Sequence, residues 1–216
     1  MASRPRTRGA HLGEYFTRQN VLKIFSSSST FLTTAALSIS FDKANAAHEV
    51  YQQLFANHPE VYQNFIPIFT DGCSKCSSCT SFACVFINSI ISFQLHPSCS
   101  IFTAEITAIL HALSHISSSP SDNYIICSDS LNALGSMTSL HRFSQPLTFK
   151  ILELHNRLTS KGFTILFCWI PSHVGISGNE LADNLAKSAT NSSNSVPVND
   201  VKKYVNSILH SKWQDQ

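Results

Sequence analysis

An α/β fold, a mixed sheet with helices on its faces, is what this 216-residue sequence predicts. Three observations point there. Apolar runs of strand length precede the first strong helical stripe, and further such runs alternate with helical segments after it. One of the later runs, Tyr124-Ile125-Ile126-Cys127, is wholly apolar, as suits a parallel strand covered on both faces. The order of three strands, helix, strand, helices, strand, helix is that of a mixed sheet flanked by helices.

The elements follow in turn. Residues 65–70 read as a strand in which Pro67 is acceptable only near the start or at an unpaired position, and which ends at Asp71-Gly72. Residues 82–87 and 90–95 are branched and aromatic runs, and the short Asn88-Ser89 separation predicts a hairpin. In residues 103–117, Glu105, Ala108, Ile109, Ala112, Leu113 and Ile116 recur at helical spacing, so one buried stripe contains an acid. The fourth strand, 124–128, is followed by Asp129. Helices are expected at 130–140 and 148–161, with Gly162 closing the second, then a fifth strand at 163–170 and a helix from Gly178 bearing Glu180 and Asp183.

Three regions result. Residues 1–63, with weak periodicity, serines at 26–29 and a short helix at 44–56, are expected to be poorly ordered. Residues 64–192 form the main α/β domain. Residues 193–216 form a linker and an amphipathic helix, capped by Asn199 or Asp200, whose stripe is Val201, Tyr204, Val205, Ile208, Leu209 and Trp213.

Only 13% of residues are charged, against a usual quarter, so serine and threonine must cover much of the surface. A net charge of +2 announces no basic field, so any case for a nucleic-acid partner has to come from the site. Seven cysteines, an odd number, suit free thiols in a reducing intracellular compartment, nucleus or cytoplasm. Arg4, Arg6, Arg8, Arg18 and Lys23 against the single Glu14 have the look of a mitochondrial transit peptide, the less favoured reading of that segment. No apolar run reaches the roughly 18 residues of a membrane span, so no membrane partner is expected.

The acids carry the chemistry. Asp71 and Asp129 each follow an apolar strand, and ligands in open α/β sheets gather at such strand ends. Glu105 lies on a buried stripe where an acid is costly unless paired or bound to a metal. Asp183, early in the last core helix, can face the same point. Four carboxylates in one place repel one another unless a cation sits between them, and oxygen ligands suit Mg²⁺ or Mn²⁺. Two such ions about 3.5 to 4 Å apart stabilise both the attacking and the leaving oxygen in phosphoryl displacement. Taken singly, each aspartate is as well read as a turn or helix cap.

Their order tips the balance. Ile68-Phe69-Thr70-Asp71-Gly72, Thr103-Ala104-Glu105, Cys127-Ser128-Asp129-Ser130, and the run from Pro171 through His173-Val174-Gly175-Ile176-Ser177-Gly178-Asn179-Glu180 to Asp183 together resemble the type 1 ribonuclease H domain, over roughly residues 64–192. The look is nearest to domains that follow a reverse transcriptase in non-LTR retrotransposon polyproteins. The resemblance implies a ribonuclease H-like fold with a five-stranded sheet, three antiparallel strands then two parallel. It implies an endonuclease that cuts the RNA strand of RNA–DNA hybrids with two Mg²⁺ ions, leaving a 5′-phosphate and a 3′-hydroxyl. Asp71, Glu105, Asp129 and Asp183 become metal ligands by that resemblance, and His173 a group that assists proton transfer or product departure.

Recognition of the RNA 2′-hydroxyl falls to backbone amides or small polar groups, for which Gly72, Cys73, Ser74, Asn132 and Asn179 are candidates, with Glu180 beside them. A monomer is expected. The segment 141–150, where some relatives carry a basic protrusion, offers only Arg142 and Lys150 as fixed charges, so a tethered reverse transcriptase is expected to supply substrate grip. The first 63 residues then read as a polyprotein remnant. Two alternatives stand beside this reading. One is a decayed retroelement fragment that binds nucleic acid without cutting it. The other takes Cys73, Cys76, Cys79 and Cys84 as a zinc or iron–sulfur cluster.

Overall fold

A computed structural model describes residues 22–26, 33–37, 64–75, 79–119, 123–138, 145–191, 200–202, 205, 206, 210 and 213. Its strands are β1 (Leu22–Ser26), β2 (Thr33–Leu37), β3 (Ile66–Lys75), β4 (Cys79–Val85), β5 (Ile90–Leu95), β6 (Asn123–Ser128) and β7 (Thr164–Trp169). Its helices are α1 (Ile101–Ile116), α2 (Leu131–Thr138), α3 (Pro146–Thr159) and α4 (Ser177–Ser188).

The five strands read from the sequence stand in the order β5-β4-β3-β6-β7. The first three pair antiparallel, and β3, β6 and β7 run parallel. Among the described residues two strands lie within 1–63: β1 pairs antiparallel with β7, and β2 pairs with β1 outside it, so the described sheet has seven strands. The helix expected at 44–56 lies outside the described residues.

β3 does not stop at Asp71. Its polar second half, Asp71 to Lys75, is carried by cross-strand pairing with Ala83 to Cys79. For the same reason β4 begins at Cys79, earlier than its apolar run suggests. It ends at Val85, where the Phe86 N–H donates to the Ser89 carbonyl and closes the hairpin. Pro67, second in β3, pairs only with β6, because the β4 ladder begins at Phe69; its missing N–H therefore costs little.

The sheet buries both faces. On one, Ile68, Phe82, Ile126 and Phe167 pack against Ala108, Ala112 and Leu113 of α1, Leu134 of α2, and Ile151 and Leu158 of α3. The other face carries a smaller core of Ile125, Cys127, Cys168, Ile170, Val174 and Ile176. Here α4 lies against β4, with the Ser81 hydroxyl donating to the Ala186 carbonyl. It also lies close to β3: a Cβ on Gly178 would stand 2.2 Å from the Phe69 ring.

Ser100 caps α1, its side chain accepting from the Thr103 N–H. Asp200, read from the sequence as the cap of its own helix, instead turns its carboxylate to α1, accepting from the Ser100 N–H and the Thr103 hydroxyl. The described residues beyond 199 are helical, but Val201, Val205 and Trp213 of the expected stripe are exposed. Asn199, Tyr204, Ile208 and Leu209 lie outside the described residues.

Candidate active site

Strand register brings the first two acids together. Thr70 and Ser128 are the last pair of the β3–β6 ladder, so Asp71 and Asp129 are neighbours one residue beyond it. Glu105 arrives from α1 because Gly72 lets that helix approach: a Cβ there would lie 2.6 Å from the Glu105 backbone nitrogen. One carboxylate oxygen from each of Asp71, Glu105 and Asp129 lies within 4.8 Å of the others. Asp71 and Glu105 are buried and Asp129 half-buried.

Asp183 enters from α4. Its carboxylate groups with His173 and Glu180 within the same 4.8 Å span, and its charge is felt by both Asp71 and Asp129. The four expected ligands thus converge, with Asp183 joining the buried trio to the His173 side. His173 is exposed on a loop whose Val174 and Ile176 are anchored in the smaller core. It sits at φ 54°, a left-handed conformation that costs a non-glycine residue about 1 kcal/mol or more and is common at functional loops. The Glu180 carboxylate accepts from the Gly175 N–H at 3.2 Å and closes that loop.

Burial and mutual repulsion set the electrostatics. Burial first, then the charges of Asp129 and Asp183, push Asp71 up to about 7 from an ordinary 3.8. Burial, then Asp71 and Asp129, push Glu105 up to about 9 from 4.5, opposed by a backbone hydrogen bond from Gly72. Burial also raises Asp129, while a bond from the Asn179 amide and the nearby His173 hold it down. The Glu105 Oε2 is buried with no hydrogen-bond partner. An orphaned buried carboxyl oxygen among acids that resist ionisation is what a bound divalent cation would relieve, so these residues fit such an ion.

A pH prediction follows. Unfolded carboxyls release protons just above 3.8 and 4.5, whereas Asp71 and Glu105 in the fold hold theirs to about 7 and 9. The folded state therefore binds more protons across that window, and stability falls as pH rises from about 5 to about 9. Urea midpoints measured in EDTA should show this slope, and Mg²⁺, which binds the ionised forms, should flatten it. A pH-independent midpoint in EDTA would contradict the assignment.

Lys187 was not anticipated. Its Nζ pairs with Asp183 Oδ2 at 2.5 Å, one helical turn away on α4, and this bond raises the lysine pKa. The i,i+4 spacing from Asp183 was the available signal. Because Lys187 competes with any cation for that oxygen, Lys187→Met should bind Mg²⁺ more tightly. An exposed pair is worth about 0–1 kcal/mol, so the gain should be up to about 5-fold by calorimetric titration. Weaker binding would refute the competition. Trp169 was also missed; its indole N–H donates to the Asp129 carbonyl at 3.0 Å.

The expected nucleic-acid contacts separate by exposure. Ser74 and Asn132 are exposed, and Cys73 and Glu180 are half-buried. Gly72 and Asn179 are buried beside the carboxylates, Gly72 with its backbone bonded to them and Asn179 with its amide on Asp129.

The cysteine-cluster alternative does not hold among the described residues. Cys73 is the cross-strand partner of Ser81 and shares its face with Cys79, the α4 side. Cys84 points to the opposite face, donating from Sγ to the Ala108 carbonyl of α1 at 3.2 Å, and burial pushes its thiol up, against the thiolate a metal needs. Cys76 lies outside the described residues.

Residues 63–191 match the RNase H family. The chain belongs to that family. It is a ribonuclease H, and the converging carboxylates lie within the matched region. Similar solved structures include LC11-RNase H1 in complex with an RNA/DNA hybrid, at 17% identity over 57% of this chain and 95% of that one, with a TM-score of 0.46. The same RNase H1, isolated from compost by a metagenomic approach, aligns at 20% identity over 58% and 95%, with a TM-score of 0.47. RNase H1 from the halophilic archaeon Halobacterium salinarum NRC-1 aligns at 23% identity over 57% and 96%, with a TM-score of 0.44. No match was found among curated proteins.

Proposed function

We propose that this ribonuclease H is an endonuclease that hydrolyses the RNA strand of RNA–DNA hybrids with two divalent cations held by Asp71, Glu105, Asp129 and Asp183. The observation that carries the reading is the convergence of these acids from three different elements and the β6–α2 junction, with Glu105 Oε2 buried and unpartnered. Bound there, Mg²⁺, or Mn²⁺ in its place, would supply Lewis-acid stabilisation of the charge that builds on the phosphoryl oxygens.

The chain's own groups do the rest. Water attacks phosphorus, a new P–O bond forms and the bond to the 3′-oxygen breaks, leaving a 5′-phosphate and a 3′-hydroxyl. One proton must leave the water and one must reach the departing oxygen. His173, exposed at the rim beside Asp183, is suited to move a proton at a ring nitrogen. Ser74 and Asn132, exposed near the ends of the strands that carry the acids, offer hydroxyl and amide groups for the 2′-hydroxyl.

Product ends test the chemistry. Fragments from an Mg²⁺ reaction should be extendable by a polymerase from their 3′ ends and should carry 5′-phosphate; a 2′,3′-cyclic phosphate would sink the proposed hydrolysis.

The parent context we propose is a retroelement polyprotein in which a reverse transcriptase domain supplies substrate grip to this monomeric unit, in nucleus or cytoplasm. Supporting it are the motif resemblance, the scarcity of fixed charge at 141–150, and the odd count of seven cysteines. On this reading the isolated chain binds hybrid weakly, and tethering it to such a domain should lower the substrate concentration needed for half-maximal cleavage.

A further inference from the structure

Asn179 lies in the first turn of α4 and is only 2% exposed. Its Nδ2 donates to Asp129 Oδ2 at 3.4 Å, while its Oδ1 is buried without a hydrogen-bond partner. The amide's orientation follows from chemistry: a carboxylate accepts, so the NH₂ end must face it and the carbonyl end must point away. Trp169 meanwhile holds the backbone of Asp129 through its carbonyl. Asp129 is thus gripped at both ends, by an indole on its main chain and by an amide on its side chain.

The helix gives this grip a second consequence. Asn179 and Asp183 are four residues apart on α4, so they project from one face of the same helix. One turn of α4 therefore delivers both a carboxylate and the donor that orients a carboxylate coming from β6. A buried amide left half satisfied costs stability that an apolar residue of its size would not. A substrate contact is a poor account of it, because the burial keeps the side chain from a polynucleotide.

We propose that Asn179 is a positioning residue, whose side-chain amide fixes the rotation of the Asp129 carboxylate so that the site is set for a divalent cation before one binds. This rests on the reading of Asp129 as a cation ligand. Outer partners of metal ligands of this kind typically change metal affinity by about 10- to 100-fold.

The test uses the full chain, with Mg²⁺ as the calorimetric titrant and no nucleic acid present, alongside hybrid binding in EDTA by fluorescence anisotropy. Asn179→Ala should weaken Mg²⁺ binding by about 10- to 100-fold and leave hybrid affinity in EDTA unchanged. Unchanged Mg²⁺ affinity overturns the proposal. If hybrid affinity then falls, Asn179 is a substrate contact; if only the melting temperature falls, it is a packing residue. Should the variant not fold, the wild-type chain still decides: the Asn179 side-chain ¹⁵NH₂ resonance should shift on Mg²⁺ addition while those of Asn123 and Asn156 stay put, and an unmoved Asn179 signal refutes the role. Failure of the wild type itself to bind Mg²⁺ would remove the cation reading of Asp129 together with this one, whereas an Asn179→Ala variant of normal affinity leaves that reading standing.

Discussion

Asp129→Asn should reduce cleavage of an RNA–DNA hybrid by more than about 100-fold, because loss of a ligand exceeds the roughly 10- to 100-fold cost of losing an outer partner. The same change should raise the melting temperature in EDTA. Asp129 is one of the charges that hold Asp71 and Glu105 above their ordinary values, and neutralising it relieves both. The opposite signs matter. A substitution that merely damaged the fold would lower activity and stability together. Single-turnover cleavage and thermal melting of the same preparation separate the outcomes, and undiminished cleavage would remove Asp129 from the machinery.

Gly72→Ala should be strongly disruptive for so small a change. Its Cβ would stand 2.6 Å from the Glu105 nitrogen, 3.0 Å from the Ala104 carbonyl carbon and 3.0 Å from the Glu105 Cγ. Two of these are backbone atoms of α1, which cannot swing aside as a side-chain tip can. Overpacking of this kind costs about 1–3 kcal/mol, several degrees of melting temperature for a domain of this size. It should also cost activity, since α1 must retreat and take Glu105 away from Asp71. Gly135 in α2 is the control. A Cβ there meets nothing within 4 Å, so Gly135→Ala should stabilise by about 0.5–1 kcal/mol and leave cleavage intact. Equal effects at the two glycines would show that close approach of α1 is not what Gly72 provides.

How much of this was legible in the sequence depends on which physical signal each feature leaves. The helix stripe of α1 was plain because burial of one face imposes a 3.6-residue period, and Glu105 stood out on it for being an acid among apolar residues. Asp71 and Asp129 were visible as the residues after apolar strands. Their adjacency, however, comes from the β3–β6 register, which no local pattern records. The polar half of β3 was missed because Asp71 to Lys75 owes its extended form to pairing with β4 rather than to its own composition. The hairpin of β1 and β2 was missed for a related reason: short strands at a sheet edge leave weak periodicity. Asn179 stands out in the sequence for its chemistry but not for its bond to Asp129, since whether a polar side chain faces solvent or a buried carboxylate is settled only when α4 docks on the sheet. Lys187 carried a readable i,i+4 signal that the site motif overshadowed.

The most direct measurement is cleavage of one sequence presented as an RNA–DNA hybrid, a DNA duplex and an RNA duplex, each strand labelled separately, by the purified chain with Mg²⁺ and with EDTA. The account predicts internal cuts in the RNA strand of the hybrid alone, appearing with Mg²⁺ and abolished by EDTA. An intact hybrid, cutting of the DNA strand, or cleavage that persists in EDTA would contradict it.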